Sequence, residues 1–236
     1  MDDVNQSTAG VEPEPESEPN LELEPEAVPT DDDAPALRPK EVRARTSRRR
    51  LQVVNAAARR LATARYATDP LEIRRTVDRL ARLQPRVRGV TIRRGSVAGV
   101  PGEWVMTKGR ARPGTVLYLH GGGYVVLSPR THAKLAAGIA KAAGCRVVSV
   151  DYRLAPEHPH PAAVVDALSA YRALLAEGYA PDQVAISGDS AGGGLTMATL
   201  LAARNEGVPP PAAAVPMSPW VDLEGTGETM DTKADA

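Results

Sequence analysis

The segment that most constrains the fold is residues 188–192, Gly-Asp-Ser-Ala-Gly, because of the two stretches it joins. An apolar run ending at Ile186 precedes it, and an Ala/Leu-rich stretch typical of a helix follows it. A G-x-S-x-G sequence between a strand and a helix predicts a tight, strained turn that presents the serine hydroxyl above the end of a sheet. Small flanking residues fit a turn in which two backbones pass close together. Ser190 is therefore a candidate nucleophile.

Strands and helices alternate along the chain after about residue 86. Residues 87–94 and 103–107 predict an antiparallel entry pair. The later segments predict strands at 115–119, 147–150, 183–187 and 212–217, and helices at 131–143, 162–177 and 191–205. Apolar strands separated by helices of ten to fifteen residues predict an α/β fold with a mostly parallel sheet covered on both faces. Ligands bind such sheets at the carboxyl ends of the strands.

The formal net charge of zero hides three regions of different charge. Residues 1–36 carry twelve acidic side chains and no Lys or Arg, and we expect a disordered Pro/Glu-rich tail there. Residues 37–85 are basic and predict a helical, cap-like segment. Residues 86–236 predict the α/β domain. With 3% aromatic residues and no Phe, its core must use Ala, Val and Leu.

Two helices are predicted in the basic region. Apolar residues recur at helical spacing over residues 43–66, and Asp69, Pro70 and Glu72 give the N-terminal signals of a second helix that ends before Pro85. The arginines on the opposite faces could bind nucleic acid or an anionic membrane. Because no aromatic platform or nucleic-acid motif accompanies them, a solvated face is the favoured interpretation, and no nucleic-acid partner is expected.

Targeting, redox and metal signals are sparse. The N-terminus lacks the features of a secretory signal, and no apolar stretch approaches the ~18 residues of a membrane span. The single Cys145 lies in a strand-like run, which favours a buried, inert thiol and excludes an intramolecular disulfide. We therefore expect a cytoplasmic protein without a transmembrane segment, whose oligomeric state the sequence leaves open.

A second motif follows the strand at 115–119. Residues 120–123 read His-Gly-Gly-Gly, and three consecutive glycines let the backbone turn its N–H groups outward, where they can stabilise an oxyanion. The N–H of Ala191, directly after Ser190, is the other expected donor. A glycine run alone would fit any tight turn, but the two motifs are mechanistically complementary.

These motifs, together with residues 151–159 (Asp-Tyr-Arg-Leu-Ala-Pro-Glu-His-Pro), make residues 80–236 resemble the hormone-sensitive-lipase-like, or family IV, carboxylesterases of the α/β-hydrolase fold. The resemblance implies that Ser190 is the nucleophile and that the N–H groups of Gly121, Gly122 and Ala191 form the oxyanion hole. It also implies an N-terminal helical cap over the acyl pocket, short- to medium-chain esters as substrates, and no metal or organic cofactor. The supporting motif residues are His120, Gly123, Gly188, Asp189 and Gly192.

One departure from the family concerns the base. The family's acid and His follow the nucleophile, but the 46 residues after Ser190 contain no His. We therefore expect the α/β domain to be incomplete at its C-terminus through truncation or a reading-frame artefact, with little activity in this chain. The four His residues, together with Asp189 and Asp222, are predicted to have structural roles, and Asp151 and Arg153 to form a charge network that stabilises a loop.

The favoured function is thus a serine carboxylic ester hydrolase acting on a small-molecule ester. Two alternatives stay open: a non-catalytic, hydrolase-like ligand-binding protein, and a truncated remnant. The intact G-x-S-x-G segment favours the enzyme, because a binding role does not need it.

Overall fold

Six strands form one mixed sheet in the computed structural model, which describes residues 69–83, 87–109 and 112–227. The strands are β1 (Val90–Val97), β2 (Val100–Thr107), β3 (Thr115–Leu119), β4 (Arg146–Val150), β5 (Val184–Asp189) and β6 (Ala213–Met217). Their order across the sheet is β1-β2-β4-β3-β5-β6. β1 pairs antiparallel with β2 and β2 antiparallel with β4, whereas β4, β3, β5 and β6 are parallel. The predicted α/β class and antiparallel entry pair are confirmed.

The described part of the chain contains four α-helices, the last three of which pack against the sheet. They are α1 (Pro70–Arg82), α2 (Ala133–Ala143), α3 (Ala162–Ala176) and α4 (Ala191–Asn205), and a short 3₁₀ helix covers Pro181–Gln183. The Asp69 carboxylate caps α1 by accepting a hydrogen bond from the Leu71 N–H at 2.9 Å, as the sequence predicts. α2 begins two residues later than predicted because Thr131 and His132 take part in a turn around the Ser128 carbonyl.

The alternation of side chains along β3 divides the core between the two faces of the sheet. Leu117 and Leu119 pack against α3 and α4, whereas Val116 and Tyr118 pack against the alanine-rich face of α2. Because successive strand side chains point to opposite faces, one five-residue strand supplies both halves of the core. All five residues of β3 are buried, so this strand is the centre of the fold.

Tyrosines supply the large buried rings of a chain that has no Phe. Tyr118, Tyr152 and Tyr171 are almost completely buried, and each phenol donates a hydrogen bond to an acceptor on another segment. Buried phenols need such partners. The core therefore carries polar cross-links that an aliphatic core would lack.

The loop after β4 contains a charge pair different from the expected one. The Arg153 guanidinium binds Asp166 of α3, with Nη2 at 2.7 Å and Nε at 3.0 Å from the carboxylate. The Arg153 backbone N–H donates to the same carboxylate. The predicted network between Asp151 and Arg153 is wrong, because α3 brings Asp166 within bidentate reach of the guanidinium.

Two sequence predictions, the acidic tail at 1–36 and the helix at 43–66, lie outside the described residues. Within the described ranges, none of the helices has the length and apolar character needed to cross a bilayer.

Candidate active site

Ser190 occupies the turn between β5 and α4 in a conformation that few non-glycine residues adopt. Its φ is 53° and its ψ is −119°. Such backbone geometry costs about 1–3 kcal/mol and persists only where neighbouring structure enforces it. Here the Ser190 N–H donates to the Met217 carbonyl at 3.0 Å, and the Ser190 carbonyl accepts from Trp220 N at 2.9 Å and Gly194 N at 3.0 Å. The side chain is exposed at the carboxyl edge of the sheet.

The turn is possible because α4 starts against the end of β3. A Cβ on Gly192 would collide with the carbonyl oxygen of Leu119 and lie 2.6 Å from that of His120. A Cβ on Gly188 would lie 2.6 Å from the same Leu119 oxygen. Glycines at both positions therefore let the Ser190 turn approach the start of the glycine loop, which we define as residues 120–128.

A tight turn within the glycine loop orients the N–H group of Gly123. The Gly122 carbonyl accepts hydrogen bonds from Val125 N at 3.1 Å and Val126 N at 3.0 Å. In a trans peptide the N–H points opposite to the carbonyl, so the Gly123 N–H faces away from this turn. Gly122 has a φ of 129°, and a Cβ there would collide with the Val126 carbonyl. Among the described residues, the N–H groups of Gly122, Gly123 and Ala191 have no backbone or side-chain acceptor.

The Gly121 N–H differs from its neighbours. It donates to Asp189 Oδ1 at 3.1 Å, so it is occupied in this structure. The family resemblance implies Gly121, Gly122 and Ala191 as oxyanion donors. In the structure the N–H groups of Gly122, Gly123 and Ala191 are without an acceptor among the described residues, whereas the Gly121 N–H donates to Asp189.

His120 fixes the neighbouring peptide. Its Nδ1 lies 2.8 Å from the Gly121 carbonyl oxygen, and since a carbonyl only accepts, Nδ1 carries the proton. This bond turns the Gly121 carbonyl toward the ring and the Gly122 N–H away from it. Burial lowers the pKa of His120 to about 4, so the ring is neutral near pH 7. Nε2 has no protein partner among the described residues, and the ring stacks on Tyr152 with centroids 4.4 Å apart.

Asp189 links the serine turn to the glycine loop. Its carboxylate accepts from the Tyr118 phenol and the Gly121 N–H, and His132 Nε2 lies 3.5 Å from Oδ2. Burial opposes ionisation of this carboxyl, but hydrogen bonds from His132, Tyr118 and Gly121 outweigh it and lower the pKa of Asp189 to about 2. Asp189 is thus a stable anion beside the candidate nucleophile. Its side chain points to these partners, and it forms no hydrogen bond with the Ser190 hydroxyl.

The histidines do not supply a base to Ser190. His158 and His160 are exposed on the loop before α3, and His132 lies beside Asp189. Among the described residues, no His forms a hydrogen bond with the Ser190 hydroxyl. Asp222 closes a local turn by accepting from the N–H groups of residues 225, 226 and 227 at 2.7 to 3.2 Å.

Tyr118 and His132 belong to the site although the sequence gave neither a functional role. Tyr118 could have been noticed as a phenol in an otherwise aliphatic buried strand, because a buried hydroxyl requires an acceptor. His132 gave no signal, since its contact with Asp189 depends on how α2 starts. Within the described ranges, no group of three or more His, Cys, Asp or Glu side chains is placed to hold a metal ion.

Comparison with known proteins finds the chain similar to proteins described as hydrolases and esterases. A family model described as alpha/beta hydrolase fold matches residues 116–236. The acetyl-hydrolase of Streptomyces hygroscopicus is 49% identical over 131 residues, covering 56% of this chain and 44% of the relative. The esterase of Acinetobacter venetianus is 37% identical over 161 residues, covering 68% of this chain and 53% of the relative.

A solved structure adds a spatial match. The crystal structure of an esterase from the bacterial hormone-sensitive lipase family superposes with a TM-score of 0.66 at 50% identity, covering 70% of this chain and 56% of that one. The chain thus spans about half the length of the curated relatives it matches, 44% and 53% of the two above.

Proposed function

The chain belongs to the α/β hydrolase fold family, and on that premise we propose that the protein is a carboxylic ester hydrolase with Ser190 as its nucleophile. The observation that carries the proposal is the strained Ser190 turn, held beside a glycine loop in which the N–H groups of Gly122 and Gly123 have no acceptor among the described residues. Preorganised donors aimed at a developing negative charge are a large contribution to acyl-transfer catalysis. The names of the relatives, acetyl-hydrolase and esterase, support the same reaction class.

The proposed reaction is acyl transfer through a covalent intermediate. The Ser190 oxygen attacks the ester carbonyl, its proton passes to water, and the carbonyl oxygen becomes an oxyanion. We assign the oxyanion to the N–H groups of Gly122 and Ala191, with Gly123 as the third candidate donor. Collapse of the intermediate expels the alcohol, and water then releases the acid and regenerates Ser190. The chain's own His residues do not provide the base in this arrangement.

The substrate class we propose is a small-molecule ester with a short- to medium-chain acyl group, hydrolysed without a metal or organic cofactor. The cytoplasmic location expected from the sequence stays a prediction, which cell fractionation would test. We propose that the protein has no nucleic-acid partner. Salt-dependent binding of DNA to the chain would contradict this expectation.

A fluorophosphonate probe and p-nitrophenyl acetate together test the nucleophile. We expect mass spectrometry to find the probe on the peptide containing Ser190, and Ser190→Ala to abolish both labelling and turnover above background. Ser96→Ala is the matched control, because Ser96 is an exposed serine of β1, outside the segments that hold the Ser190 turn. Because no described His forms a hydrogen bond with the Ser190 hydroxyl, we expect the Ser190-dependent turnover to be slow. Turnover that survives Ser190→Ala would contradict the proposal.

A second candidate, a hydrolase-like binding protein, is favoured by one observation: no His hydrogen-bonds the Ser190 hydroxyl in the described residues. The two candidates differ in covalent chemistry. A binding protein would retain an ester such as p-nitrophenyl butyrate without releasing p-nitrophenol or reacting with the probe. A hydrolase would release the phenol in proportion to Ser190 content.

A further inference from the structure

Arg74 of α1 makes an unusual set of contacts for a residue in a helix of arginines. Its three guanidinium nitrogens reach three acceptors on two other segments. Nε donates to the Val125 carbonyl at 2.5 Å, Nη2 donates to the Ala155 carbonyl, and Nη1 pairs with Glu157 Oε1 at 2.5 Å. The side chain is 19% exposed, so the fork is largely enclosed. None of the sequence signals distinguishes Arg74 from its neighbour Arg75.

The acceptors belong to two loops that also bind each other. Val125 lies in the glycine loop, and Ala155 and Glu157 lie in the loop after β4. The Ala155 N–H donates to the Tyr124 carbonyl at 2.9 Å. Arg74 thus crosses the junction of the two loops and binds both within two residues of their mutual hydrogen bond.

The part of the glycine loop held by Arg74 is strained. Tyr124 and Leu127 have φ values of 59° and 73°, although neither is a glycine. Such residues relax to negative φ unless surrounding contacts hold them. Val125 lies between them, and its own N–H closes the turn on the Gly122 carbonyl. The orientation of the Gly123 N–H therefore depends on the segment that Arg74 binds.

A second link lies one helical turn further along α1. Asp78 Oδ1 accepts a hydrogen bond from the Ser128 hydroxyl at 2.7 Å. Positions four apart lie on the same face of a helix, so one face of α1 binds the end of the glycine loop at both Val125 and Ser128. At the start of the loop, His120 and Asp189 bind Gly121. The loop is clamped at both ends.

We propose that Arg74 is a positioning residue, which holds the Val125 end of the glycine loop so that the Gly122 and Gly123 N–H groups keep their direction. The position of α1 against the glycine loop and the loop after β4 then determines the direction of these two N–H groups. Its effect on rate rests on the proposed esterase function, whereas its effect on the loop does not. Lysine cannot replace Arg74, because an ammonium lacks the planar fork that reaches three separated acceptors.

Selective labelling makes the loop directly observable in the intact chain. Glycine follows glycine at only four positions in the sequence: Gly122, Gly123, Gly193 and Gly194. Incorporating glycine labelled with both ¹³C-carbonyl and ¹⁵N, and selecting amides bonded to a labelled carbonyl, gives four NMR signals. Two report on the glycine loop and two on α4, which serve as internal controls.

We expect Arg74→Lys to shift or broaden the Gly122 and Gly123 signals and to leave Gly193 and Gly194 in place. Arg75→Lys is the matched control, because Arg75 is exposed one position away and forms no hydrogen bond with a described residue; it should leave all four signals unchanged. Unmoved signals in Arg74→Lys, or equal movement of all four, would overturn the proposal. If Arg74→Lys does not fold, Glu157→Gln, which removes only the ion pair, is judged by the same criterion.

Activity provides the second readout. A displacement of ~1 Å can cost about 10²-fold in rate, so we expect Arg74→Lys to lower kcat by up to that factor while KM changes less than about 2-fold. A rise in KM alone would mean that Arg74 shapes the acyl pocket instead. If the parent chain shows no turnover, the proposed function is contradicted, but the four amide signals still decide the role of Arg74.

Discussion

At the residue scale, a neutral side chain and an anionic side chain together fix the backbone of the glycine loop at Gly121. His120 is neutral and gives its Nδ1 proton to the Gly121 carbonyl, while the anionic Asp189 takes the Gly121 N–H. The two bonds hold the peptides on both sides of Gly121 in fixed planes. A carboxylate with its pKa lowered to about 2 and an imidazole with its pKa lowered to about 4 keep these states through the neutral range. Both groups therefore act on geometry rather than on protons.

The buried His120 makes a pH-dependent prediction. Its folded pKa is about 4 against 6.5 for an unperturbed His, so between these values the unfolded chain binds more protons and stability falls as the pH falls. The shift corresponds to about 3 kcal/mol. His120→Asn keeps a donor near the Nδ1 position but cannot titrate.

Urea unfolding of parent and variant at several pH values between 7 and 4 checks this prediction. The difference in the free energy of unfolding between parent and variant should shrink as the pH falls. Parallel pH profiles would show that burial does not suppress protonation of His120. His132 and Asp189 also face the ring, so the comparison is made in a background where both are retained.

At the scale of elements, the backbone of the first turn of α4 lies in close contact with the backbone at the end of β3. This contact places Ser190 next to the glycine loop, and it tolerates no side chain at Gly192. This contact lowers the intrinsic stability of the helix, because its first turn contains three consecutive glycines, which are poor helix formers. Packing thus overrides helix propensity where the site requires a close approach.

Substitution of Gly192 by alanine tests the contact. The added Cβ would meet the carbonyl oxygens of Leu119 and His120, which are backbone atoms that cannot move without shifting β3. We expect a loss of about 1–3 kcal/mol in the free energy of unfolding. Gly138→Ala in α2 is the control: nothing lies within 4 Å of its added Cβ, so it should gain up to about 1 kcal/mol. Equal effects in urea unfolding would refute the argument.

The element pattern was predictable where local signals were strong. β3 and α4 match their predicted bounds, and the Asp69 cap is where the sequence places it. The first strand was predicted three residues too early, at 87–94 instead of Val90–Val97, and the second was predicted to begin three residues too late, at 103 instead of Val100. The reason is that Gly95 and Gly102 are poor strand formers and that Ala98 adopts a φ of 52° in the turn. The Arg74 and Tyr118 contacts span 51 and 71 residues, and no local pattern reports such distances.

At the scale of the whole molecule, burial decreases from the centre of the described sheet toward β6. β3 lies between β4 and β5 with all five residues buried, whereas residues 213–215 of β6 are exposed. Local opening is easiest where few buried contacts hold an element. Since β6 also provides the Met217 carbonyl that binds the Ser190 N–H, the Ser190 turn depends on a strand that is more exposed than β3.

Hydrogen exchange measures this gradient directly. We expect the amides of β3, β4 and β5 to exchange near the rate set by global unfolding, and those of β6 to exchange faster through local opening. Mass spectrometry of peptides from the intact chain would resolve the strands. Protection of β6 equal to that of β3 would show that the described edge is held by contacts beyond those seen in the sheet.

The bonds that fix Ser190 have a consequence for the order of events during synthesis. The serine leaves the ribosome before the residues that hold its unusual backbone angles, because Met217 and Trp220 are translated 27 and 30 positions later. A nascent chain that has only reached the end of α4 therefore lacks both partners that hold the Ser190 backbone. If Ser190 is the nucleophile that we propose, its backbone can take the described conformation only after β6 and Trp220 have formed these two hydrogen bonds.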